Sequence, residues 1–173
     1  GHETVVPRMV ADTFALRPSE VVVIDEFDSA TRDWSVSSGS YASRFAAMGL
    51  SAATKAASKL REKLFRIAAH VLEVSEEDLE ITDKGIGPKG DPDRAISLRR
   101  LAGIAHWNPD GLPPGMDSGL TETATFDAIN ANAPDATDRV NSSNAYGFVA
   151  EVARVKVDPE TGAVEISDFV SAH

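Results

Sequence analysis

The sequence predicts an α+β fold, with a long helix packed with antiparallel strands and a C-terminal β-hairpin. Three observations carry this. From Tyr41 to about Val71, apolar residues recur at helical spacing, with Ala53, Ala56, Ala57, Leu60, Leu64, Ile67, Ala68 and Val71 forming one stripe. Strand-like runs from Tyr146 to Val157 and from Ala163 to Val170 flank the turn Asp158-Pro159-Glu160-Thr161-Gly162. The remaining stretches mix helical and strand-like patterns, which places the chain in the α+β class.

Val6, Met9, Val10 and Phe14 follow helical spacing, so a first helix is expected from about Glu3 to Ala15. Pro7 is tolerable there only near the helix start. Leu16 to Ser19 reads as a turn, and Glu20-Val21-Val22-Val23-Ile24-Asp25 as a short buried strand. Phe27 to Gly39 has no period and is read as loop. The long helix follows, with Lys55, Lys59, Arg61, Glu62, Lys63 and Arg66 largely off its apolar stripe, as expected of a solvated face. Its first half is rich in Ala, Ser and Gly, so a neighbour can pack close to the backbone.

Ser75 to Asp78 reads as a turn or short helical cap, Leu79 to Thr82 as a strand, and Lys84 to Gly90 as a turn with a brief returning strand. Ser97 is expected to cap a short amphipathic helix, Leu98 to His106, with Leu98, Leu101, Ala102 and Ala105 inward. Asn108 to Gly119 is a Pro- and Gly-rich loop expected to be exposed. Leu120 to Phe126 alternates like a strand, and Asp127 to Asn144 is polar and is expected to be the least ordered part. No internal repeat is evident.

Composition narrows the function. A length of 173 residues suggests one domain or part of a larger one. Apolar residues make up 42% and charged residues 25%, enough for a sizeable core. A net charge of −10 argues against nucleic-acid partners and anionic membranes, so any phosphate must be captured locally. The absence of cysteine excludes disulfides and cysteine-ligated zinc or iron–sulfur centres within this chain. No apolar run approaches the roughly 20 residues of a membrane span. No signal peptide is visible, and a cytoplasmic location is expected. The start at Gly1 without methionine and the end at His173 behind a strand-like run suggest a piece of a longer polypeptide.

The stretch with the clearest chemistry is Ser37-Ser38-Gly39-Ser40-Tyr41-Ala42-Ser43-Arg44, directly before the long helix. Helix starts carry unpaired N–H donors and the positive end of the macrodipole, which suits a phosphate. Gly39 allows a tight turn, Ser40 and Ser43 can cap or donate, and Arg44 can grip a phosphate in two places. On residue types alone, an ordinary serine-rich helix start that binds nothing accounts for the same pattern.

Elsewhere the chemistry is sparse. No serine sits in a nucleophile-elbow pattern, and the histidines His2, His70, His106 and His173 have no ligand spacing. His2 reads either as a ligand contact or as a cap on the first helix. His70 suits the negative end of the long helix. Glu76 and Glu77 are turn carboxylates, and Asp25, Glu26 and Asp28 lack the histidine neighbours that would strengthen a metal site. The residues alone describe a chain that holds something rather than transforms it, and a non-catalytic anion- or partner-binding module is the alternative reading. No catalytic residue and no metal ligand is assigned.

Gly1-His2-Glu3-Thr4, followed by a helix, resembles the second half of the Gly-Gln-Gly-His-Glu-Thr motif of the molybdenum hydroxylase large subunits. These belong to the xanthine dehydrogenase and aerobic carbon monoxide dehydrogenase superfamily, which also takes in aldehyde oxidase-like enzymes. Gly39-Ser40-Tyr41-Ala42-Ser43-Arg44 is similar to the family's Gly-Thr-Tyr-Gly-Ser-Arg loop, which wraps the pterin cofactor. Lys59 to His70, Leu112 to Gly115, Thr123 to Phe126 and Val155 to Val164 also fit, in order and nearly end to end.

The resemblance implies that residues 1–173 are part of a larger molybdenum-cofactor-binding domain, incomplete at both ends. It implies molybdopterin, in its cytosine dinucleotide form, with molybdenum in the parent oxidoreductase; the isolated chain is expected to be inactive and need not hold the cofactor. The Ala42 N–H would approach the molybdenum ligands, Ser40, Tyr41, Ser43 and Arg44 would line the pterin dinucleotide and its phosphates, and Gly1 and His2 would lie near the metal's outer shell. The parent would hydroxylate an aromatic or heterocyclic substrate with water as oxygen source and pass electrons to iron–sulfur and FAD partners. The other partners implied are the remainder of the large subunit and, through an uncovered face of the long helix, a second copy of the chain. A separately encoded subunit is a further reading. The family's glutamine before Gly1 and its catalytic glutamate beyond His173 are not in this sequence, and Ser40 and Ala42 replace the commoner Thr and Gly.

Overall fold

A computed structural model describes residues 1–24, 28, 30, 40, 43–127, 132–141 and 147–173. They fall into two compact units, Gly1–Ile129 and Asn130–His173.

The first unit is built on two helices. Helix α1 spans His2–Phe14, with Pro7, Ala11 and Phe14 buried, and Ala15 closes it in the left-handed conformation at φ 52°. Pro7 lies at the sixth helical position and has no N–H to offer the Glu3 carbonyl. Helix α2 spans Leu50–Leu72 and buries Ala57, Leu64, Phe65, Ile67 and Ala68. It ends at Glu73, also left-handed, at φ 55°. Phe65 is an addition to the expected stripe, and the Arg61 guanidinium lies over its ring at 4.1 Å.

Strands β1, Leu79–Thr82, and β2, Gly85–Pro88, form an antiparallel pair in which Ile81 faces Ile86. Helix α3, Leu98–Trp107, follows, with Leu101 and Ala105 buried. Ser97 caps it as expected, its hydroxyl oxygen accepting from the Arg100 amide at 3.3 Å. Phe14, Leu64, Ile67, Leu79, Ile86, Leu101 and Leu112 meet in one core, which contains no buried polar or charged residue among the described ones. The apolar stripe of α2 is therefore covered largely within this unit by α1, α3 and β2, and not left uncovered as expected.

Several boundaries differ from expectation. The long helix does not run unbroken from Tyr41, because Ser43 is left-handed at φ 57° and the turn Phe45–Gly49 is π-helical. Val21 to Ile24 is not a buried strand. It pairs with no strand among the described residues, and Val22 and Ile24 are 83% and 60% exposed. Asp25 and most of Phe27 to Gly39 lie outside the described residues.

Leu120 to Phe126 keeps its alternation, with even-numbered residues half-buried and odd-numbered ones exposed, but it is not part of a sheet. Its carbonyls are taken by the long helix instead. Lys55 Nζ donates to the Thr125 carbonyl at 3.1 Å and Lys59 Nζ to the Thr123 carbonyl at 3.2 Å. Lysines one helical turn apart match carbonyls two residues apart in an extended chain, since both spacings are about 6 Å. These two lysines are latches rather than a freely solvated face.

In the second unit, β3, Ala150–Val157, pairs antiparallel with β4, Val164–Ala172. The predicted hairpin is present; its first strand spans Ala150–Val157, and Tyr146 lies outside the described residues. Ala150 pairs with Ala172, and Gly147 to Val149 pair with no strand among the described residues. The register shifts between Arg154 and Val155, where Ser167 is the extra residue and donates its hydroxyl to the Arg154 carbonyl at 3.0 Å. Arg154 and Asp168 form an ion pair across the strands. Of the polar stretch Asp127 to Asn144, residues 128–131 and 142–144 lie outside the described residues. Asn132 to Asn141 is a closed loop, bridged at its ends.

Exposed carboxylates close several turns. Glu20 is held below its ordinary pKa by the Arg17 guanidinium and then the Arg17 amide. Asp135 is lowered by the Thr137 hydroxyl and then the Thr137 and Arg139 amides. Asp158 is lowered chiefly by the Glu160 amide at 2.8 Å, then by Thr161. A carboxylate depressed in the folded state adds stability above its unfolded pKa of about 4 and loses it as pH falls through the folded value. Hydrogen-exchange protection of the Glu160 amide should therefore fall as pH drops below about 4, and Asp158→Asn should abolish that dependence. Protection that stays constant into acid would contradict the assignment.

Candidate functional site

The site is assembled where two helices begin. Helix α1 starts at Gly1, which supplies no side-chain cap. The Gly1 carbonyl accepts from Thr4 and Val5 at 3.2 and 3.1 Å. The second start is at Arg44, the first helical residue before the π-turn Phe45–Gly49. The two starts are brought together by the His2 and Phe45 rings, whose centroids are 3.9 Å apart at an interplanar angle of 33°. Helix starts in general carry the positive end of the macrodipole, about half a charge, so two starts that meet favour an anion more than one alone.

The turn before the second helix shows how the sequence builds this. The Ser40 hydroxyl oxygen accepts from the Phe45 amide at 3.3 Å, and the Ser43 carbonyl accepts from the Ala47 amide at 3.2 Å. Ser43 reverses the chain in the left-handed region, a conformation that costs a non-glycine residue on the order of 1 kcal/mol. Strain of that kind recurs at ligand-binding turns, and π-turns recur at functional sites.

Of the residues singled out from the sequence, Gly1, His2, Ser40, Ser43 and Arg44 are all exposed. His2, Ser40, Ser43 and Arg44 share one end of the first unit around Phe45. Gly39, Tyr41 and Ala42 lie outside the described residues. His70 and His106 are exposed in the last turns of α2 and α3, apart from this cluster in sequence and element. Among the described residues no group of three or more His, Cys, Asp or Glu could hold a metal ion. Asp25 and Glu26 fall outside that set.

Beside the π-turn lies a groove of about 540 Å³, lined by Met9, Ala46, Leu50, Ser51, Thr54 and Phe126 among others. The Ser51 and Thr54 hydroxyls donate to the Ala47 and Leu50 carbonyls, each at 2.8 Å, so the helix backbone takes up their protons. Ala46 of the π-turn and Ser51 and Ser58 of the helix, all small residues, lie along the groove. Sequence reasoning missed Phe45 and Gly49, the π-turn residues that set the ring geometry. An aromatic residue followed four positions later by glycine was the available signal.

An exposed double helix start, two serines and an arginine fit a large, acceptor-rich anionic group. No helix among the described residues is long and apolar enough to cross a membrane. The model of the molybdopterin cofactor-binding domain family matches residues 1–173. The carbon monoxide dehydrogenase large chain of Hydrogenophaga pseudoflava is 32% identical over 169 residues, covering 98% of this chain and 19% of that protein. The nicotine 6-hydroxylase large subunit of Paenarthrobacter nicotinovorans is 29% identical over 171 residues, covering 99% of this chain and 19% of the relative. The crystal structure of quinoline 2-oxidoreductase from Pseudomonas putida 86 superposes with a TM-score of 0.75 at 30% identity, over 99% of this chain and 20% of that one. The chain thus spans about a fifth of the length of the relatives it matches. With its whole length matched and its α+β architecture shared, the chain belongs to the molybdopterin cofactor-binding domain family of the molybdenum hydroxylase large subunits.

Proposed function

We propose that residues 1–173 form part of the cofactor-binding domain of a large subunit whose parent enzyme hydroxylates an aromatic or heterocyclic substrate with water as oxygen source. The observation that carries this is the meeting of two helix starts at an exposed turn bearing Ser40, Ser43 and Arg44, in a chain of this family. The names of the nicotine and quinoline relatives support the substrate class.

In this reading Gly39, Ser40, Tyr41, Ser43 and Arg44 hold the pterin dinucleotide and its phosphates, and the Ala42 amide is directed toward the metal's ligands. Gly1 and His2 contribute at the edge of the metal's surroundings. When bound, the molybdenum centre supplies the oxygen-transfer and electron-accepting chemistry. The chain binds, orients and offers hydrogen bonds, and no catalytic residue is assigned within it. The cofactor form is the cytosine dinucleotide, and the partners are iron–sulfur and flavin subunits or domains.

The test is chemical analysis of the full polypeptide that carries this chain, purified with whatever copurifies. Molybdenum and molybdopterin should be present, and acid release should yield a cytosine nucleotide. Arg44→Ala should lower cofactor content several-fold by removing a two-pronged phosphate contact. A wild-type polypeptide free of molybdopterin would sink the reading.

A further inference from the structure

The ring contact between His2 and Phe45 has a property that a polar contact would lack. The His2 imidazole has no hydrogen-bond partner among the described residues, and the residue is exposed. Its ring lies instead against the Phe45 ring, at 3.9 Å between centroids and 33° between planes. Fixing a histidine by hydrogen bonding uses one of its nitrogens. Fixing it against an aromatic face restrains the ring and leaves both nitrogens free at its edge.

Phe45 is itself held in a specific way. It is the first residue of the π-turn, and its amide donates to Ser40 Oγ at 3.3 Å. Its ring folds back over Gly49. A Cβ placed on Gly49 would lie 2.6 Å from both Cδ2 and Cε2 of that ring. Only glycine at position 49 leaves the ring where it meets His2. Ser40, Phe45, Gly49 and His2 are therefore linked in one chain of contacts across the two helix starts.

We propose that Phe45, seated on Gly49, is a positioning residue for the cofactor site. It presents the His2 imidazole, with both nitrogens available, to a hydrogen-bond acceptor of the bound pterin cofactor. This rests on the cofactor-binding reading above and assigns to Phe45 and Gly49 a role in it.

The experiment measures molybdopterin retained after dialysis by the full polypeptide carrying the chain. Phe45→Leu and His2→Ala should each lower retention by about threefold or more, and the double variant should lose no more than either alone, because contacting residues that act as one unit are not additive. Phe45→Tyr keeps the aromatic face and should retain the cofactor. Gly49→Ala should mimic Phe45→Leu without lowering the unfolding temperature, since alanine is the better helix former. Independently of any cofactor, ¹³C-histidine NMR should show the His2 ring protons shifted upfield by Phe45, with the shift lost in Phe45→Leu and in Gly49→Ala. Additive losses, or full retention in Phe45→Leu, would overturn the proposal while wild type still holds the cofactor. Loss of retention only in step with a lower unfolding temperature would also overturn it. A wild type without molybdopterin would instead strike the functional reading, and the NMR shift would still report whether the ring pair exists.

Discussion

Replacing Gly85 with alanine should destabilise the first unit by about 3 kcal/mol or more, the largest effect expected of a single methyl group here. Gly85 has φ +127°, outside the regions open to residues with a side chain. A Cβ there would also sit 2.1 Å from the Ile96 carbonyl oxygen and 2.7 Å from Ser97 Cα, which are backbone atoms with no rotamer to escape into. The chain beside it is tied on both sides, Ile86 N–H donating to the Ile96 carbonyl at 3.0 Å and Ile96 N–H to the Ile86 carbonyl at 2.8 Å. Opening that bridge would expose Ile86 and Ile96, both in the core. Gly90 is the control. It too has positive φ, +76°, but an added Cβ meets nothing within 4 Å, so Gly90→Ala should cost only about 1–2 kcal/mol. Urea unfolding of the two variants separates strain from overlap. Equal midpoints would show that the close approach at Gly85 does not matter.

How far the sequence could foresee this depends on whether a signal was local. The strand Leu79–Thr82, the return through Gly85 and the Ser97 cap all follow from residues within a few positions of one another, and they appear as read. Strand partners are not local. Val21 to Ile24 has strand composition without a partner strand, and Leu120 to Phe126 has strand period with lysines where a partner strand would be. Period reports an extended chain with one side covered, and says nothing of what covers it. At the proposed site, the serines and arginine stand out in the sequence because anion capture would call for those residue types. The left-handed Ser43 and the π-turn do not, because neither leaves a periodic trace, and the role of Phe45 emerges only when α1 is laid beside it.

Ile67→Ala should be the costliest truncation in α2, about 2–5 kcal/mol. Ile67 is fully buried and belongs to the core cluster that also holds Leu64, Ala68, Leu101 and Ala105. No polar group is buried among the described core residues, so nothing there can take up water to fill the space left. Ile67→Val removes one methylene and should cost about 0.5–1.5 kcal/mol, which distinguishes a cavity effect from a general disturbance of the helix. A cost below about 1 kcal/mol for the alanine would place Ile67 wrongly. The same helix carries the π-turn and Gly49 at its other end, about 27 Å away at 1.5 Å per residue. The two ends should therefore respond separately. Ile67→Ala lowers the unfolding midpoint and leaves the His2 ring shift intact in the folded fraction, whereas Gly49→Ala removes the shift and leaves the midpoint. A helix that lost both together on either substitution would be transmitting core strain to the site, because close-packed interiors yield as a body rather than locally.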